Sequence, residues 1–307
     1  MIRSVTVTNY RGDSIKLELA RPHKSGFAVT KITGLGPGTA TINTTDRATG
    51  DGSLFNSAVS PQRNIVISLR YLWHNTVEEA RLLTYKYFPL KKQVTLLFET
   101  DNRIAEIVGY VESNDPDIFS KTEGSDISII CPDPYFYSAG GDGITTTVFS
   151  GVDPLFEFPF ECNTDTDEFI EFGTITKKAE NVIVYDGEAD IGVTMIIHAL
   201  GAASNITIYN VGTREKMTLD TTKIKALTGL SEGGMIAGDD IVISTVKRNK
   251  FVSFVRDGTV YNILGCLTRD SDWLSLTKGD NIIAYTAQTG DTNLQFTVEH
   301  RTAYEGV

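Results

Sequence analysis

Residues 127–138 read ISIICPDPYFYS, an alternating β-branched run that meets two prolines and then three aromatic rings. Proline fixes φ and lacks an N–H, so Pro132 and Pro134 predict the abrupt end of a strand at Ile127–Ile130. The phrase itself, Cys131, Pro132, Asp133, Pro134 and Tyr135, admits three readings: a ligand site, a domain hinge or a structural signature. Chemistry is the weakest of them. Cys131 has no evident base nearby in the sequence, and Asp133 is held between two prolines. The reading carried forward is a rigid seam, with Tyr135, Phe136 and Tyr137 packing the base of a first domain before the glycines of 140–143 release the chain.

Outward from that phrase, period-two alternation dominates. Strands are predicted at 5–8, 14–19, 64–69, 93–98, 103–110 and 126–130. A single helix is predicted over 76–88, where Thr76 and Glu79 form a capping box and Pro89 supplies the stop. Between the first strands and that helix lies a glycine- and threonine-rich stretch, about 34–60. It holds Gly34-Leu35-Gly36-Pro37-Gly38 and then DRATGDG, with Asp51-Gly52 at its end. Flanked by strands, such a stretch suits a projecting hairpin arm, with a plain surface loop as the alternative. The second half is almost entirely strands spaced by about 8–12 residues, the pattern of a sandwich or jelly roll. The expected class is therefore mainly β in two domains, 1–150 and 151–307, with the arm and the helix both in the first.

The chain has 307 residues and a net charge of −11. The charge is uneven: 15 basic against 16 acidic residues over 1–150, and 13 against 23 over 151–307. An acidic second half without a basic cluster excludes sequence-specific nucleic-acid readout, which needs clustered Lys and Arg. No apolar run approaches the ~18 residues of a membrane helix, and the opening MIRSVTVT alternates like a strand with no h-region. Cys131, Cys162 and Cys266 are odd in number and widely scattered, so buried thiols are expected rather than a disulfide scaffold or a zinc site. Together these features predict a protein folded in a cytoplasm, in which the sequons at Asn43 and Asn205 carry no glycan.

Catalytic and ligand motifs are sparse. The histidines at 23, 74, 198 and 300 lack metal-ligand spacing and read as structural. GLGPGT (34–39) lacks the third glycine of a dinucleotide loop. NTDTDEF (163–169) lacks the glycine and glutamate of a calcium loop. Arg11-Gly12-Asp13 reads as a turn. The acids offer no distinct pair for glycoside hydrolysis, though a β-rich glycosidase is retained as a third function class. Trp273 is the one candidate for stacking on a sugar, against a packing role beside Leu274. No cofactor or metal site is predicted.

The motifs around the proline phrase, taken in order, resemble a known family. RIAEIVGYVESNDPDIFSK followed by ISIICPDPYFYS is similar to the N-terminal domain of phage distal tail proteins of the siphovirus tail-component family. The residues carrying this are Arg103, Gly109-Tyr110-Val111-Glu112, Ile118-Phe119-Ser120 and Cys131 to Tyr135. Upstream, the Gly34-Leu35 turn, Asp51-Gly52 and the strand led by Arg63 fit the same pattern. Downstream, FEFPF (156–160) and the stretch from Gly238 to Gly290 resemble the C-terminal domain of the longer members. The resemblance implies a β-sandwich or split-barrel domain with a belt-like arm, six copies of which close into a ring, and an outward galectin-like jelly roll. It further implies three partners: the tail tube protein above, the tail-tip hub or tail-associated lysin below, and receptor-binding proteins at the periphery. DNA would pass through the ring without being read, no membrane contact is implied, and the role is not enzymatic. A carbohydrate-binding tail module is the alternative.

Overall fold

The computed structural model describes residues 1–72, 76–117, 122–141, 143–154, 173–177 and 180–307. The protein is mainly β and divides into two compact units. The first comprises Met1–Gly143 together with Thr302–Val307, and the second comprises Ile144–Arg301. The first unit thus ends a little before the sequence boundary at 150 and regains six residues from beyond the second.

The first unit is built from β1 (Ile2–Asn9), β2 (Ser14–Glu18), β3 (Phe27–Thr33), β4 (Thr41–Asp46), β5 (Ser53–Val59) and β6 (Arg63–Tyr71). Helix α1 (Val77–Tyr87) follows, then β7 (Gln93–Thr100), β8 (Ile104–Asp117), β9 (Gly124–Cys131) and β10 (Phe136–Ser138). One antiparallel sheet runs β2-β1-β7-β8-β9-β6-β3. Its first and last strands are consecutive in the chain and touch each other. The short link between them, with one 3-10 turn at Pro22–Lys24, therefore obliges the sheet to curl until its ends meet, giving an incompletely closed barrel. Alternation aims Val5, Val7, Ile65, Ile67, Leu96, Phe98, Ile127 and Ile129 into one buried core. Helix α1 covers that core with Ala80, Leu83 and Tyr87. Its N-terminus is capped as predicted, Thr76 Oγ1 accepting from the Glu79 N–H at 3.1 Å. The bulge between Val111 and Ser113 lets β8 continue past the barrel wall as a long strand.

Strand β8 explains the proline phrase. One of its edges pairs with β7; the other pairs with β9 from Tyr110 onward and with β10 at Ala105 and Glu106. The chain therefore leaves the sheet after Cys131, passes through Pro132–Pro134 and rejoins the same strand at Phe136. Within the turn, Asp133 accepts from the Tyr135 N–H at 3.2 Å and from the Tyr137 hydroxyl at 2.9 Å. The buried ring is Phe136, edge-on to Phe98 at 5.7 Å, whereas Tyr135 and Tyr137 are half-buried. The segment 302–307 then adds a strand, Ala303–Tyr304, to the free edge of β10.

Among the described residues, the second unit holds two larger antiparallel sheets and two two-stranded ones, Ser150–Pro154 with Gly173–Lys177 and Ile191–Gly192 with Ser275–Leu276. A six-stranded sheet is ordered Thr145–Val148, Leu294–His300, Thr194–Ala199, Asp240–Ser244, Phe251–Arg256 and Thr259–Asn262; a four-stranded sheet is ordered Glu180–Tyr185, Gly279–Thr289, Ser204–Asn210 and Glu215–Leu219. Their buried faces meet where Tyr285 lies 5.2 Å from Phe296 and Tyr185 lies 5.8 Å from His300. A short helix, Ile224–Thr228, stands where no helix was foreseen. Five residues are too few for a 3.6-residue period to show. Among the described residues, no helix is long and apolar enough to cross a membrane, and no group of three or more His, Cys, Asp or Glu side chains could hold a metal. The candidate calcium loop, Cys162, His74, Ile118-Phe119-Ser120 and FEFPF lie outside the described residues.

Gly109 lies on β8 beside the end of β9, where the room for a side chain is taken. A Cβ there would stand 2.5 Å from Ile129 Cγ2 and 2.8 Å from Cys131 Sγ. Gly109→Ala is expected to destabilise the protein by about 1–3 kcal/mol through overpacking, read as a lower midpoint in chemical denaturation.

Candidate functional site

Of the residues singled out in the sequence, one group converges at the root of the arm, and Arg63 gathers it. This side chain opens β6 and is only 6% exposed. Its Nε donates to Pro134 O at 2.7 Å, its Nη1 to Gly34 O at 2.7 Å and Gly36 O at 2.6 Å, and its Nη2 to Glu305 O at 2.6 Å. The guanidinium also lies 4.8 Å above the Phe136 ring. One cation thus ties the arm's root, the proline phrase and the 302–307 segment to the sheet. Burial depresses the basicity of Arg63, and the nearby acid Glu305 opposes that shift. Gly34 is required here twice over: its φ is +83°, and a Cβ would fall 2.1 Å from Asn64 O. The phosphate-loop lookalike GLGPGT therefore turns carbonyls, not amides, toward its charged neighbour, and it suits a cation rather than an anion.

Further contacts fix the 302–307 segment. Arg103 lies 4.4 Å above the Tyr304 ring and reaches Gly306 O at 3.5 Å, and the Val307 N–H donates to Leu35 O at 3.0 Å. Ser138 exchanges backbone and side-chain bonds with Thr302 at 2.8 and 2.9 Å. Cys131 lies fully buried beside this cluster, and burial pushes its thiol up to about 12, so no thiolate nucleophile forms at neutral pH. Between these elements is a cavity of about 530 Å³, walled by Gly36, Pro37, Gly38, Arg63, Tyr135 and Glu305 among others.

The arm leaves from this cavity's rim. Strands β4 and β5 pair only with each other, and every residue of both is exposed. One side carries Asn43 Nδ2 on Ser57 Oγ at 3.0 Å and Asn56 Nδ2 on Thr45 Oγ1 at 2.6 Å, together with Val59 opposite Thr41 and Leu54 opposite Thr45. The other side presents Ile42 beside Ala58 and Thr44 beside Phe55, with Phe55 66% exposed. A lone two-stranded ribbon is marginally stable in water. Asp51 and Gly52 belong to the tip, far along the arm from Gly34 and Leu35.

Trp273 stands apart, in the second unit. It is half-buried, and Lys250 Nζ lies 4.9 Å from its ring centroid, so one face of the indole is already covered by a cation. His23 is exposed, whereas two histidines of the second unit pack against neighbours. His198 Nδ1 is 2.7 Å from Asp240 Oδ1 on the paired strand, and His300 is buried against Tyr185, which lowers its pKa through desolvation. Arg11-Gly12-Asp13 is a turn, its amides held by Asn9 Oδ1 at 2.9 and 3.1 Å.

The sequence reading named Arg63 only as the leader of a strand, did not single out Phe136 among the three rings expected to pack, and missed the entire 302–307 segment. A lone arginine opening an otherwise apolar strand was the one signal available. Nothing local announces that the segment after residue 301 returns to the first unit.

The fold and its arm define a β-rich, two-unit protein whose first unit projects an exposed two-stranded ribbon. Over nearly its whole length it matches the structure of SPP1 Dit (gp 19.1), described as a paradigm of the hub adsorption apparatus in phages that infect Gram-positive hosts. The TM-score is 0.64 at 13% identity, covering 97% of this chain and 98% of that one. Chains of the phage p2 baseplate in its activated conformation, with Sr and with Ca, are looser likenesses, with TM-scores of 0.49 and 0.46; each is 13% identical and covers 98% of both chains. No protein-family model matches the sequence, and neither does any curated protein.

Replacing Arg63 by Gln leaves carbonyls of three chain segments without their donor. The expected cost is about 1–3 kcal/mol, with early proteolysis at residues 34–40 and 302–307, read by limited digestion with mass spectrometry.

Proposed function

We propose that the protein is a structural distal tail protein of a long-tailed phage, made in the bacterial cytoplasm and resident at the tail tip of the virion. Six copies close into a ring that joins the tail tube to the tail-tip hub or tail-associated lysin, leaving a channel for DNA. The first unit forms the ring and the second, with a galectin-like jelly roll, points outward, where receptor-binding proteins dock. The role is structural and not enzymatic. The observation that carries this reading is the full-length fold likeness to a phage hub protein. The exposed arm supports it, because a ring repeats one heterologous interface until it closes and an unpartnered ribbon can form part of that interface. The acidity of residues 151–307 suits a solvated, peripheral unit, where like charges hold neighbours apart.

A carbohydrate-binding tail module is the second reading, supported by the uncovered part of the Trp273 ring. It predicts glycan-array binding that disappears in Trp273→Ala; retention of binding in that variant, or no binding at all, removes it.

The ring reading predicts a particle of six times 33.7 kDa, about 200 kDa, by mass photometry, and six-fold rings in negative stain. A protein that stays monomeric at every concentration, alone and with the neighbouring tail proteins, would overturn it.

A further inference from the structure

We infer that the cavity at the root of the arm is a carboxylate-binding socket, and that its occupant is Asp51 at the arm tip of a second copy of this chain. The inference rests on the ring reading above and assigns the residues of its contact. A guanidinium carries five N–H donors. Four are bound to carbonyls, those of Pro134, Gly34, Gly36 and Glu305, which leaves one donor on Nη2. Arg63 lines the cavity, and a Cβ on Gly38, another lining residue, would stand 3.7 Å from Nη2. The remaining donor thus belongs to a buried cation at the wall of a space of about 530 Å³. Carbonyls satisfy hydrogen bonds but neutralise no charge, and a carboxylate does both at once through a charge-assisted bond. Glu305, the other charged residue on the wall, binds Arg63 through its main-chain carbonyl and acts on it otherwise through its charge.

The arm supplies the matching group. Asp51 stands between Gly50 and Gly52, whose φ angles are +103° and +89°, and neither glycine has an atom within 4 Å of where its Cβ would be. Its carboxylate is therefore presented at a slender, uncrowded tip. Asp46, by contrast, is drawn into the ladder opposite Ser53. The strands of the arm rise about 3.3 Å per residue, so the tip stands roughly 20 Å from the root and a straight ribbon cannot bring it back to its own socket. An Asp51 that fills this socket therefore comes from another copy. Tip into socket is a heterologous contact, and repeated head to tail it closes a ring. The apolar strip of Ile42 and Phe55 would then lie along the neighbour, which explains why an aromatic ring is left in water on the isolated chain.

The test uses the full chain in two arms. Asp51→Asn, a surface change that leaves the fold intact, is expected to raise the concentration at which rings half-assemble by about thirtyfold or more, as truncating one partner of a desolvated charged pair does. In a chain with Cys162→Ser, the double variant Asp51→Cys with Gln62→Cys is expected to give a ladder of covalent multimers on a non-reducing gel under mild oxidation. Neither single cysteine variant should give it. If the unaltered chain forms rings while Asp51→Asn assembles equally well and no ladder appears, the socket assignment is wrong and the ring reading survives. If the unaltered chain forms no ring under any condition, both are wrong.

Discussion

Arg63 holds together three stretches of chain that are remote in sequence, and it does so through carbonyls rather than through an acid. A guanidinium taken out of water costs several kcal/mol unless its donors are met, and here four of them are met by oxygens at 2.6 to 2.7 Å. That requirement propagates. Gly34 and Gly36 must turn their carbonyls inward, which sets the direction in which the arm departs. Pro134 must do the same, which fixes the turn between β9 and β10. The last of the four comes from Glu305, so the 302–307 segment must lie against the sheet. The geometry of the whole root follows from satisfying one buried cation.

The second unit solves the same problem differently. Arg256 is also nearly buried, yet it pairs with the Asp239 carboxylate through two bonds, at 2.7 and 2.6 Å, and adds the Gly234 carbonyl at 3.0 Å. That bidentate pair is electrically closed and fastens one loop to the sheet edge. The contrast gives the Arg63 cluster its character. Arg63 is hydrogen-bonded to carbonyls and feels the Glu305 charge only from nearby, whereas Arg256 has a carboxylate in direct contact. The two buried arginines differ in their partners, not in their burial.

Much of this was legible in the residues. Strict alternation along Val5–Val7, Ile65–Leu69 and Ile127–Ile129 predicts strands with one buried face. Thr76, Glu79 and Pro89 bound the helix almost to the residue. The glycine-rich stretch beginning at Gly34 predicts a projecting hairpin, and the prolines of CPDP predict the end of β9. What the sequence could not carry is long-range. A pairing between Phe136 and Tyr304 leaves no local trace, because each strand satisfies period two without naming its neighbour. Phe136 and its flanking tyrosines look alike as aromatics, and only the return of the chain to β8 decides that the middle ring turns inward. Arg63 was visible as a residue, but its role is a sum of contacts made by segments that no spacing rule connects.

The return of residues 302–307 to the first unit also orders events in time. A ribosome delivering about 5–20 residues per second releases β10 and then needs roughly ten to thirty seconds to deliver the stretch up to the strand Ala303–Tyr304 that completes it. Through that interval the second unit can fold by itself while Arg63 lacks one of its acceptors and the free edge of β10 lacks its partner. A chain broken off during translation, or clipped before residue 302, carries an intact-looking second unit on an unfinished first one. The first unit is thereby completed only after the whole of the second has been synthesised, although most of its residues come first.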